Sequence, residues 1–168
     1  MASPATSVRF RVNLQDVEAA IDCAQKRAEI DPRRVVLFGT SFGGGHALVV
    51  GSRRPDLAAV VSQCTVTDCL AVALQTPIRQ VLQWISAALI DQFRAVLGRS
   101  PKYIKLAGEP GQVALMTKPG AEASYLAMLD GPSAWRNLVA ARIMFTMPLY
   151  RPIRDGIAHH CAAAHGRL

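Results

Sequence analysis

The stretch Val35-Val36-Leu37-Phe38-Gly39-Thr40-Ser41-Phe42-Gly43-Gly44-Gly45-His46 decides how this chain is read. Val35 to Phe38 is a short, continuous apolar run rich in β-branched residues. Such a run suits a strand buried on both faces, as in a parallel sheet. Gly39 to Gly45 reads as a Gly-rich turn, and Ala47 to Arg54 continues as a helix until Pro55. Upstream, Asn13 to Ala28 reads as a helix, with Asn13 as its cap, Asp16 in its first turn and Lys26 and Arg27 in its last. Leu14, Val17, Ile21 and Ala24 fall on one face, and Asp31-Pro32 breaks the pattern. Downstream, Leu57 to Val61 is a second strand of the buried type. Helix, strand, turn, helix and strand in this order predict a right-handed α/β unit.

Within that unit, Gly39-Thr40-Ser41-Phe42-Gly43 matches G-x-S-x-G, directly after a predicted strand and opening a predicted helix. A serine at so tight a bend needs unusual backbone angles, and glycines two residues to either side leave room for it. The hydroxyl is then pushed clear of the sheet. The N–H of Phe42 points to where an oxyanion would form, and the helix N-terminus adds partial positive charge. Thr40 and His46 are candidates for the pocket lining. His46 stands five residues into the helix, a place that suits packing or lining better than service as a base. The same glycines fail as a dinucleotide fingerprint, because Leu48 stands where a third Gly or Ala belongs, and no Gly-Lys-Ser/Thr supports a P-loop. No cofactor is expected.

At residues 13 to about 63 the chain resembles the α/β-hydrolase fold around its nucleophile elbow. The wording Asp31-Pro32-Arg33-Arg34, followed by the quoted stretch to His46, is similar to bacterial hydrolases of the dienelactone hydrolase, acyl-esterase and peptidase superfamily. The helical stretch from about 67 to 150 resembles the insertion that caps such enzymes. The resemblance implies Ser41 as nucleophile, the Phe42 N–H as one oxyanion donor, and hydrolysis of an ester, thioester or amide through an acyl-enzyme. It also implies an acid and then a histidine at the ends of later strands. Asp56, Asp68, Asp91, Asp130 and Asp155 follow Ser41, but none follows a convincing strand. His159, His160 and His165 lack that setting as well. The expected fold class is therefore a partial α/β-hydrolase fold: a small parallel sheet with flanking helices plus a helical cap insertion. A truncated or frame-shifted reading of a longer gene is one route to it.

The chain as a whole fits one domain with a core. It has 168 residues, 51% of them hydrophobic and 18% charged, which excludes disorder as a whole. No window approaches 18 uncharged apolar residues, and the start lacks a signal-peptide core, so a soluble, cytoplasmic protein is expected. The net charge is +7, but the basic residues, mostly Arg, are scattered and aromatics make up only 6%. Nucleic-acid binding is thus a remote third reading. Cys23, Cys64, Cys69 and Cys161 show no C-x-x-C spacing, and Cys23 and Cys64 read as small buried hydrophobes. After Gln63 the character changes. Ile78, Leu82, Ile85, Leu89 and Phe93 recur at helical spacing, with Gly98 as a cap. Tyr103 to Ala107 and Val113 to Met116 suggest a small hairpin, and short helices are expected at about Ala121 to Leu129 and Ser133 to Phe145. His159, His160, Cys161 and His165 are read as part of an Ala/His-biased tail rather than as a metal site.

Three regions follow: residues 1–66 as a partial hydrolase core carrying the elbow, 67–150 as a cap-like region, and 151–168 as an irregular tail. The leading function is serine-dependent acyl hydrolysis by ancestry on a small-molecule acyl substrate, weak or absent in this chain alone. The alternative is a non-catalytic remnant or binding module of the same fold. Two parallel strands are few for a stable sheet, so marginal stability or self-association through exposed sheet edges is expected.

Overall fold

In the computed structural model, which describes residues 10–129, 131 and 134–154, each apolar run of the first part becomes an element, with the first helix and both strands displaced by one to three residues and the second helix begun six residues earlier. Helix α1 spans Phe10–Gln25, β1 Val36–Thr40, α2 Ser41–Arg53 and β2 Ala59–Gln63. Strands β1 and β2 pair in parallel, with Leu37 opposite Val60 and Gly39 opposite Ser62. The glycines assigned to a turn lie inside α2, which starts at Ser41 with no linker after β1. Asn13 lies inside α1 rather than capping it, because the ring of Phe10 finds aromatic partners and extends the helix upstream.

Residues 10–71 and 149–154 form one compact unit, and residues 72–148 a second. In the first, α2 lies against β1 and β2 while α1 packs on α2. Val49 and Val50 are fully buried, and Ala47 and Ile21 join them in the core. Arg54, which closes α2, ties this layer to α1. Its guanidinium donates to Asp22 at 2.5 Å, to Gln25 at 2.8 Å and to Asp56 at 2.8 and 2.9 Å. The expectation that both strand faces are buried is not met. Gly39 is buried, whereas Val36 and Phe38, on the opposite face, are 52% and 60% exposed. Only one face of the sheet has a helix against it among the described residues, and the pleat sends alternate residues to the bare side.

The second unit begins within α3 (Cys69–Gln75) and continues with α4 (Ile78–Val96), β3 (Tyr103–Gly108), β4 (Ala114–Thr117), α5 (Ala121–Ala127), β5 (Val139–Ala140) and α6 (Ile143–Thr146). The hairpin reading of β3 and β4 is corrected: they pair in parallel, with Lys105 opposite Ala114. The Gln112 side chain turns the connection back, accepting from the Glu109 N–H at 3.2 Å and from Lys105 Nζ at 3.2 Å. The helix expected over 133–145 is replaced by β5, antiparallel to β3, and by the short α6. Gly98 adopts φ +65°, the left-handed conformation that ends α4. The floor of α4 is fixed by Trp84, whose Nε1 donates to the Ala114 carbonyl at 2.7 Å, and by fully buried Asp91. Asp91 accepts from the Lys102 N–H at 2.7 Å and from the Arg142 guanidinium at 2.8 and 2.9 Å. Burial pushes its carboxyl up, but the Arg142 guanidinium and the Arg142 and Lys102 amides outweigh that and hold it below the usual range. The outer stripe of α4 remains exposed, Phe93 at 66%.

Cys23 and Cys64 are exposed, against the reading of both as buried, while Cys69 is buried; all three are free. No described helix is long and apolar enough to cross a membrane. The tail from 155 onward, with its histidines, Cys161 and Asp155, lies outside the described residues, as does Asp130.

Candidate functional site

Ser41 sits at the junction of β1 and α2 with φ +52°, a left-handed angle that a non-glycine residue adopts only when its surroundings impose it. The imposing contact is at Gly39. A Cβ there would stand 2.3 Å from the Gly43 carbonyl oxygen and 2.9 Å from the Ala47 Cβ. The chain can therefore double back from strand to helix only with glycine at 39. Gly43 differs from its motif role, since a Cβ at that position would meet nothing within 4 Å. Gly44 and Gly45 are tighter than Gly43: a Cβ would stand 2.7 Å from Thr65 Oγ1 at Gly44, and 2.9 Å from both Pro152 Cγ and the Val66 carbonyl oxygen at Gly45.

Thr40 precedes α2 and makes no side-chain cap hydrogen bond. The first N–H groups of α2, Phe42 among them, have no acceptor within the helix. Partial positive charge thus stands beside Ser41. The end of β2 and the segment after it close the site from one side: the Val66 N–H donates to the Ser41 carbonyl at 3.2 Å, and Ser62 Oγ donates to the Gly44 carbonyl at 3.0 Å.

Segment 149–154 returns to this unit, a feature with no pattern in the sequence to announce it. The Tyr150 carbonyl accepts from the Cys69 N–H at 3.2 Å, and the Ile153 N–H donates to the Thr67 carbonyl at 3.0 Å. Arg151 grips Asp68 through Nε and Nη2 at 2.5–3.0 Å. Asp68 also accepts from the Leu70 and Ala71 N–H groups at 3.0 and 3.1 Å, capping α3. The Arg151 guanidinium holds its carboxyl below the usual range. His46, on α2, is buried, and its Nδ1 is hydrogen-bonded to the Tyr150 hydroxyl. Burial pushes the imidazole below its ordinary value, so the ring is neutral near pH 7. Burial also pushes the Cys69 thiol up to about 11, which keeps it protonated and a poor nucleophile.

Among the described residues, no hydrogen bond joins the Ser41 hydroxyl to an imidazole or a carboxylate. Of the candidate acids, Asp56 is taken by Arg54, Asp68 by Arg151 and Asp91 by Arg142. No group of three metal-ligating side chains comes together among the described residues. Among the described residues, the bend and the open N-terminus of α2 are thus brought together at Ser41, without an imidazole or carboxylate on its hydroxyl.

Comparison with known proteins gives concordant results. Residues 11–97, just over half of the chain, match the model of the prolyl oligopeptidase family. The quorum-quenching protein AidA of Acinetobacter baumannii is 38% identical over 151 residues, an alignment covering 90% of this chain and 50% of AidA. Two solved structures share the fold. One is the α/β hydrolase GrgF from Penicillium, with TM-score 0.70 and 16% identity, over 94% of this chain and 53% of GrgF. The other is DcsB, solved with its substrate analogue, with TM-score 0.71 and 17% identity, over 91% of this chain and 51% of DcsB. The chain spans about half the length of each.

Proposed function

From the premise that this chain belongs to the prolyl oligopeptidase family, within the α/β-hydrolase superfamily, we propose that Ser41 is the nucleophile of an acyl-transfer hydrolysis on a small-molecule ester, thioester or amide. The observation that carries the reading is the φ of +52° at Ser41, between a strand end and the open N-terminus of α2. Strain of this kind persists where the surrounding structure over-determines it, and functional sites are where it concentrates.

The chemistry follows from that placement. Ser41 Oγ attacks the acyl carbon, forming a C–O bond as the carbonyl π pair moves onto oxygen. The Phe42 N–H and the α2 terminus stabilise that oxyanion. The pair returns, the bond to the leaving alkoxide, thiolate or amine breaks, and an acyl-Ser41 ester remains. Water then repeats the sequence and releases the acid. Both halves need an acceptor for the proton of the attacking hydroxyl and a donor for the leaving group. No described residue fills those roles at Ser41, so the described residues by themselves would activate the hydroxyl only weakly. That same observation favours a second reading, a non-catalytic binding module on the hydrolase scaffold.

A fluorophosphonate probe separates the two. Slow phosphonylation mapped to Ser41 by mass spectrometry, and abolished in Ser41→Ala, is the expected result. A folded chain that stays unlabelled after prolonged exposure would support the binding module.

A further inference from the structure

The ring of Phe42, whose N–H would meet the oxyanion, is held on three sides. Phe10 lies 5.5 Å away, Tyr150 5.0 Å, and His46 stands edge-on at 5.1 Å. Tyr150 in turn stacks on Phe10 at 4.7 Å. Its carbonyl accepts from the Cys69 N–H, and the residues that follow are anchored by the Ile153–Thr67 bond and the Arg151–Asp68 ion pair. The hydrogen bond between Tyr150 and His46 is therefore a link between a fixed segment and the first turns of α2.

The chemistry of His46 argues that this link does more than fill space. The residue is 7% exposed, and its Nε2 is buried without a hydrogen-bond partner among the described residues. A buried, unpaired polar atom is unfavourable, and an apolar side chain of similar volume would avoid it. An imidazole makes sense at this position if the bond through Nδ1 has a use.

We propose that His46 and Tyr150 are a positioning pair for the oxyanion donor: their hydrogen bond, with Phe10 stacked behind, clamps the Phe42 ring and so fixes the direction of the Phe42 N–H beside Ser41. The proposal rests on the reading of Ser41 as nucleophile. Neither member touches the reacting atoms; both act through Phe42.

The experiment compares Tyr150→Phe, which differs by one oxygen, with His46→Leu, the double variant and His46→Asn, whose amide keeps a polar atom near the place of Nδ1. Fluorophosphonate labelling at saturating probe is read together with the Phe42 amide resonance in a 1H–15N spectrum. Either single change to Phe or Leu slows the maximal labelling rate about tenfold, with half-saturation unchanged, as expected for a misdirected donor. The double variant is no slower than Tyr150→Phe, because the same Tyr150–His46 bond is lost in each case. His46→Asn restores the rate to within about threefold of the parent, since it keeps a partner for the Tyr150 hydroxyl. The Phe42 amide shifts in Tyr150→Phe and returns toward the parent position in His46→Asn. Parental labelling in Tyr150→Phe, strictly multiplicative losses in the double variant, or an unmoved Phe42 amide would overturn the pair. Absence of labelling in the parent would instead sink the nucleophile reading, and the amide resonance would still decide the pair. If His46→Leu fails to fold, Tyr150→Phe and His46→Asn carry the test.

Discussion

At the scale of single residues, the two glycines of the G-x-S-x-G motif have different physical reasons to be present. Gly39 leaves no room for a Cβ, which would stand 2.3 Å from the Gly43 carbonyl. Gly39→Ala is expected to destabilise the fold by about 2–3 kcal/mol, as overpacking against backbone does. Gly43 lies in α2 with open space where its Cβ would be. Gly43→Ala is expected to stabilise the fold by about 0.5–1 kcal/mol, read as a melting temperature raised by a few degrees. The reverse ranking in thermal melts would refute the steric account of the elbow. His46 gives a prediction in pH. Its folded value lies below the ordinary 6.5, so the folded state binds fewer protons than the unfolded state. Its contribution to stability is complete above that ordinary value and is lost as the pH falls through it toward the depressed folded value. The paired carboxylates Asp56 and Asp68 are held below their usual range and stay charged across that window. The urea midpoint should therefore fall between neutral pH and about pH 5, and the fall should be much reduced in His46→Asn. A midpoint independent of pH in the parent would contradict a buried neutral ring.

At the scale of elements, the helices and strands that follow local periodicity were legible, and those made by distant partners were not. Val35 to Phe38 and Ile78 to Phe93 announce β1 and α4 because apolar period and propensity agree over a whole element. The parallel pairing of β3 and β4 was hidden, because Pro110-Gly111, with Gly111 at φ +90° and the Gln112 N–H on the Glu109 carbonyl at 3.1 Å, is a turn signature that suits a hairpin equally well. The helix expected over 133–145 yields to β5 because Asn137 braces the adjacent strand. Its amide accepts from the Ala107 N–H at 2.8 Å and donates to the Ala107 carbonyl at 2.7 Å. Of the candidate site, Ser41 and its turn could be read from a contiguous motif. The Phe10–Phe42–His46–Tyr150 cluster could not, since His46 and Tyr150 lie 104 positions apart. Asp91 is the element-scale test in the second unit. It is fully buried under two amides and a guanidinium, and its depressed value means its contribution is present at neutral pH and lost as acid protonates it. Asp91→Asn should cost about 3 kcal/mol, seen as a lower urea midpoint at unchanged slope. A midpoint within error of the parent would show that α4 is held by packing alone.

At the scale of the whole molecule, the described residues leave apolar surface that a folded protein usually covers. Val36, Phe38 and Val61 line the bare face of the β1–β2 sheet, with Phe38 60% exposed, and the α4 stripe is exposed as well. Patches of this kind drive association. Sedimentation velocity is expected to show association that grows with concentration, and Phe38→Lys with Val61→Lys should shift the population toward monomer. A parent that is monomeric at every concentration would count against that. The proposed reactivity, by contrast, belongs to one hydroxyl at one bend. It is tested most directly by a crystal structure of the chain after exposure to a fluorophosphonate. The expected result is phosphorus bonded to Ser41 Oγ, with a phosphoryl oxygen about 2.7–3.1 Å from the Phe42 nitrogen. Phosphorus on any other side chain, or a Ser41 adduct whose oxygen turns away from the α2 terminus, would contradict it.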